Sequence, residues 1–129
     1  MKRILPLLLI VLLAAASSVV PRASAQDYRQ ITMQEAVGMM AAETDYIILD
    51  VRTIQEYESG HIPGAVCVPN ETIGTENIPE LPDKDQLILV YCRSGNRSKQ
   101  ASAKLAKLGY TNIVEFGGIN AWPGEVVTE

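Results

Sequence analysis

The sequence predicts an α/β domain, a mostly parallel sheet with helices on both faces. Three observations predict it. Short apolar runs of strand length recur at Tyr46–Leu49, Ala65–Val68, Leu87–Tyr91 and Ile113–Phe116. Helical segments fall between them, and two open on the capping-box pattern, Thr32-Met33-Gln34-Glu35 and Thr53-Ile54-Gln55-Glu56. Tyr46–Leu49 and Leu87–Tyr91 are continuously apolar rather than alternating, as in strands covered on both faces.

The elements follow in order. Lys2-Arg3, the apolar stretch Ile4–Ala16 and the small-residue site Ala23-Ser24-Ala25 have the layout of a secretory signal peptide, which assigns residues 1–25 to a leader and 26–129 to the domain. The alternative is an uncleaved anchor. Ile4–Val20 reaches the minimum length for crossing a bilayer, but Pro6, Ser17 and Ser18 weaken it. Gln30-Ile31 predicts a short first strand, and Met33–Ala42 a helix. Tyr46–Leu49 is the next strand, and the Thr53 box opens a short helix that Gly60 ends. Ala65–Val68 is a strand stopped by Pro69, and 71–82 holds one short helix and a loop. After Leu87–Tyr91, Ser98–Leu108 carries Ala101, Leu105 and Leu108 on one helical face, with Gly109 closing it. Ile113–Phe116 is the last strand, Gly117-Gly118 a tight turn, Trp122 a core plug, and the tail after Pro123 is expected to fray.

The chain carries 11 Lys and Arg against 15 Asp and Glu, a net charge of −4. Loss of the leader removes Lys2, Arg3 and Arg22 and no acid, so the exported domain is more acidic still. That balance excludes a nucleic-acid footprint and gives little attraction to anionic lipid. Arg93, Arg97 and Lys99 nevertheless lie close together. A local cationic site on an acidic body suits a small anion. Cys67 and Cys92 match neither a CxxC redox pair nor a zinc site, and His61 is the one histidine, so no metal or other cofactor is expected.

Cys92 stands where an apolar strand ends and a helix begins, followed by Arg93-Ser94-Gly95-Asn96-Arg97-Ser98. A cysteine in such a run is by default a packed core residue. The polar, doubly cationic loop reverses that default. Free amides at a helix start, together with two guanidinium groups, stabilise a thiolate and hold an anion against it. In open parallel sheets ligands bind beyond the carboxyl ends of strands, which is where Cys92 falls.

Several separated motifs carry a family resemblance. Asp50-Val51-Arg52, Glu56-Tyr57 and Gly60-His61-Ile62-Pro63-Gly64-Ala65 resemble the first signature of the rhodanese (thiosulfate sulfurtransferase) family. Tyr91–Ser98 resembles its active-site loop, and Gly109-Tyr110 with Gly117–Trp122 its closing signature. The resemblance covers residues 30 to 122 and implies a five-stranded sheet. It implies sulfur transfer by double displacement. The Cys92 thiolate takes the outer sulfur of a donor such as thiosulfate as a persulfide, and a thiophilic acceptor, cyanide or a thiol, removes it. Arg93, Ser94, Gly95, Asn96, Arg97 and Ser98 are then the substrate-binding residues, with Asp50 and Arg52 as supporting braces. Four residues separate Cys92 from Arg97. Cysteine phosphatases with a similar cradle have a longer loop and a histidine before the cysteine, where this chain has Tyr91.

Smaller roles follow. His61 is expected to be a turn residue, and Cys67 a small strand residue rather than a resolving thiol. The family sheet places Leu87–Tyr91 beside Tyr46–Leu49, with Ala65–Val68 beyond, so Cys67 and Cys92 are expected not to pair. The layout implies an exported monomer of the bacterial envelope with no nucleic-acid partner and no stable membrane insertion. Two other classes stay open: an exported thiol or persulfide redox protein, and a non-catalytic binding module.

Overall fold

The computed structural model describes residues 27–74 and 76–129; the expected leader lies outside them. Five strands form one sheet: β1 (Arg29–Gln30), β2 (Ile47–Asp50), β3 (Val66–Cys67), β4 (Ile88–Cys92) and β5 (Ile113–Gly118). Their order is β1-β5-β4-β2-β3, and every pairing is parallel. Among the described residues three α-helices flank it: α1 (Met33–Ala42), α2 (Ile54–Ser59) and α3 (Asn96–Lys107). Both capping boxes form, Thr32 with Glu35 and Thr53 with Glu56. No helix among the described residues is long and apolar enough to cross a membrane.

The sheet divides the interior. Strand side chains alternate between faces, so β4 sends Ile88, Val90 and Cys92 to one core and Leu89 and Tyr91 to the other. The first core packs against Ala101 and Leu105 of α3, and the second contains Ala36 of α1. All five residues of β4 are buried, which explains its continuous apolar run. Here the expected doubly covered α/β sheet is observed.

Three local expectations change. α3 starts at Asn96, two residues before Ser98, because Gly95 takes a left-handed φ of 110° and turns the chain directly into the helix. The tail is tied down: His61 and Val127 exchange backbone hydrogen bonds of 2.8 and 2.9 Å as an antiparallel bridge. Trp122 is a partly buried cover at the margin of the second core rather than a plug, and its indole N–H donates to the Glu125 carbonyl at 2.9 Å.

Candidate active site

Cys92 closes β4 at its carboxyl end and is 1% exposed. A shift in register after Val90 sets it opposite Gly118 rather than Gly117, breaking the ladder where the chain leaves the sheet. The loop Arg93-Ser94-Gly95 then folds over the sulfur. The Gly95 N–H donates to Cys92 Sγ at 3.0 Å, and Sγ lies 3.4 Å from Ser98 Oγ. The amides of Asn96, Arg97 and Ser98 belong to the first turn of α3, where a helix offers its N–H groups no acceptor of its own. Their dipoles favour negative charge at this end.

The end of β5, which includes the Gly117-Gly118 pair expected to be a turn, and the short turn after it hold this loop in shape. A Cβ on Gly118 would sit 2.0 Å from the Arg93 carbonyl oxygen, so only glycine permits the approach. The Asn120 N–H donates to that same carbonyl at 3.2 Å. The loop and the closing glycines therefore form one unit.

The two arginines differ. Arg93 is exposed, and among the described residues no ion pair involves it. Arg97 is clamped by Glu56 through both nitrogens, at 2.6 and 3.0 Å. Those bonds from Arg97 are the main reason the Glu56 carboxyl is held down to about 2. Arg97 is thus oriented in advance, with its charge partly balanced, while Arg93 is the uncommitted cation. Ser94 and Asn96 are exposed at the rim, and Gly95 and Ser98 are buried beneath.

Asp50 and Arg52 form a buried brace rather than part of the loop. Arg52 Nη2 donates to Asp50 Oδ2 at 2.7 Å and to the Gly60 carbonyl at 2.7 Å. The Tyr91 hydroxyl donates to Asp50 Oδ2 at 2.6 Å and accepts from the Ile62 N–H at 3.1 Å. Burial first, then the Asp50 carboxylate, push the Tyr91 phenol well above its usual range, which keeps the donor proton in place. His61 is fully packed, its ring stacked 3.7 Å from Tyr57. One network thus ties the first signature to the strand that carries Cys92.

Cys67 sits beside Asp50, one strand beyond β2, and both cysteines are free. Burial, and next the nearby Asp50 charge, push its thiol up to about 11. A thiol held protonated at neutral pH is a poor nucleophile.

Two participants were not singled out in the sequence. Glu56 stands in the sequence as part of a capping box and of the first signature, with no pairing to Arg97 assigned to it. Glu115 interrupts the apolar β5 and is 3% exposed. Its Oε2 accepts from the Gly117 N–H at 2.6 Å and lies 2.7 Å from Ser98 Oγ. A charge inside an apolar strand was the available signal. A separate concavity of about 410 Å³ lies at the amino ends of the strands, lined by four acids, Glu43, Asp45, Asp83 and Asp85, and by Arg29. Its acidic lining is unsuited to an anion.

Comparison with known proteins agrees with this geometry. The rhodanese-like domain model matches residues 32–125. A sulfurtransferase of Allochromatium vinosum is 40% identical over 90 residues, covering 68% of this chain and 82% of the relative. The Escherichia coli thiosulfate sulfurtransferase PspE is 34% identical over 71 residues, covering 55% of this chain and 68% of PspE. Among solved structures, a rhodanese-related protein of Thermoplasma volcanium superposes with a TM-score of 0.65 at 30% identity, covering 79% of this chain and 100% of that one. Fold, motif order and relatives converge on sulfur transfer in general, and the chain belongs to the rhodanese-like domain family.

Proposed function

We propose that the protein is an exported sulfurtransferase that moves a sulfane sulfur from thiosulfate, or a related anionic donor, to a thiophilic acceptor through a persulfide on Cys92. The observation that carries this reading is the Gly95 N–H aimed at Cys92 Sγ from 3.0 Å, at the head of a helix whose first amides are free. The Cys92 thiolate attacks the outer sulfur of thiosulfate. The S–S bond of the donor breaks, sulfite leaves with its electron pair, and the negative charge passes to the new outer sulfur. Amides around the loop receive that charge as it forms. Arg93 draws in the sulfonate from the rim, and Arg97, held by Glu56, fixes its orientation. Cyanide or a thiol then removes the outer sulfur and regenerates Cys92.

The exported location rests on the sequence of residues 1–25. The redox alternative loses ground because Cys67 is separated from the strand of Cys92 by β2, which leaves no partner thiol beside the loop. Intact-mass measurement tests the function. Thiosulfate is expected to add the mass of one sulfur atom, cyanide to remove it, and Cys92→Ser to show neither. An unmodified wild-type mass, or a sulfur adduct that survives in Cys92→Ser, overturns the assignment.

A further inference from the structure

Behind the loop, on β5, stands a buried acid that the transfer chemistry does not require. Glu115 approaches Ser98 from β5, and Ser98 in turn approaches the sulfur. The Ser98 hydroxyl has one proton and three oxygen acceptors around it: Glu115 Oε2 at 2.7 Å, the Gly95 carbonyl at 2.9 Å and the Gly117 carbonyl at 3.3 Å. Glu115 Oε2 also accepts the Gly117 N–H at 2.6 Å, so this oxygen acts as the acceptor in both contacts. The shortest contact to a charged acceptor takes the proton. Ser98 then turns its lone pairs toward Cys92 Sγ, 3.4 Å away. The two legs keep Glu115 Oε2 within about 6 Å of the sulfur.

Given the persulfide mechanism above, we infer that Glu115 is a positioning residue that biases Cys92 toward its sulfur-loaded state. An anionic Sγ faces an oxygen lone pair and, behind it, a carboxylate. A loaded Cys92 has a neutral Sγ, and its charge sits one bond farther out, in the amide cradle. The Ser98–Glu115 pair therefore penalises the unloaded thiolate more than the persulfide. Among the described residues, the titratable groups that meet this pair include Cys92 from β4, Tyr28 ahead of β1, whose phenol is raised by burial first and then by Glu115, and Arg97 on α3, which is held by Glu56 and feels Cys92. The result is a domain that keeps its sulfur until an acceptor arrives.

The test is the equilibrium Cys92 thiolate plus thiosulfate against Cys92 persulfide plus sulfite. The full domain is incubated at fixed thiosulfate-to-sulfite ratios, and the loaded fraction is read by intact mass. Glu115→Gln retains an acceptor oxygen for Gly117 and Ser98 but removes the charge. A like charge within about 6 Å alters such an equilibrium by about tenfold, and only part of it is relieved on loading, so the expected fall in the loading constant is about three- to tenfold. Iodoacetamide should alkylate unloaded Glu115→Gln correspondingly faster at pH 7. A purely structural Glu115 would leave both readouts unchanged in a folded variant, and that result overturns the inference alone. So does a rise in loading. Ser98→Ala serves as the second variant and covers a Glu115→Gln that fails to fold. It removes the lone pairs that face Sγ, and loading should fall. Increased or unchanged loading there means that Ser98 does not penalise the thiolate, which also overturns the inference. A wild type that takes no sulfur removes the proposed function and this inference together.

Discussion

Replacing Glu56 with glutamine isolates the charge of the Glu56–Arg97 pair. Glutamine still satisfies the capping box with Thr53, so α2 keeps its start. What is lost is the carboxylate that receives Arg97 at 2.6 and 3.0 Å. In the folded protein Glu56 titrates at about 2, against an ordinary 4.5. At about 1.4 kcal/mol per pKa unit, that difference is worth at most about 3 kcal/mol. The side chains are 28% and 29% exposed, and water screens them, so the expected contribution is about 1–2 kcal/mol. The sign is fixed by the direction of the shift. A lowered acid stabilises the fold fully above its unfolded value and loses that contribution as pH falls from about 4.5 toward 2. Urea unfolding should therefore find Glu56→Gln weaker than wild type at pH 7, with the two curves converging near pH 2. A variant within about 0.5 kcal/mol of wild type at pH 7, or one with the same acid dependence, would show that the pair is decorative. Turnover should fall as well, because Arg97 loses the partner that orients it.

Two further perturbations test the frame around the site. Tyr91→Phe keeps the ring beside Phe116 but removes one donor from an Asp50 oxygen that Arg52 still holds, and leaves the Ile62 N–H without its acceptor, at an expected cost of about 1–3 kcal/mol in urea unfolding. A change below about 1 kcal/mol would mean that the hydroxyl does not join β4 to the first signature. Cys67, with its thiol pushed up to about 11, should resist alkylation at pH 7 and gain reactivity only as pH climbs toward that value. Fast labelling of Cys67 at neutral pH in Cys92→Ser would contradict the burial described above.

Strands, helices and the candidate site loop were legible because each leaves a local trace. An apolar run such as Ile88–Val90 marks a doubly covered strand, a capping box marks a helix start, and Cys92 announces itself by its polar flanks. What could not be read locally was contact between distant segments. Glu56 on α2 and Arg97 on α3 meet from 41 positions apart, and Ser98 and Glu115 from 17. The anchored tail is hidden for the same reason: Val127 looks unremarkable until His61 offers it a backbone partner. The start of α3 is not legible in the apolar periodicity because the left-handed geometry of Gly95 decides where the helix begins.

The strand order also sets the timing of assembly. β5, the last strand to be synthesised, is an interior strand, lying between β1 and β4. A nascent chain that has not yet released β5 has no seat for β1. It has neither Gly118 beneath the Arg93 carbonyl nor Glu115 behind Ser98. Parallel pairing of remote segments is intrinsically slow, so the sheet closes late. Cys92 thus spends synthesis as an ordinary thiol in an open chain, and its loop takes shape only once residues 113–120 are available to dock. A polypeptide interrupted before residue 113 contains Cys92 but not the segment that shapes its loop.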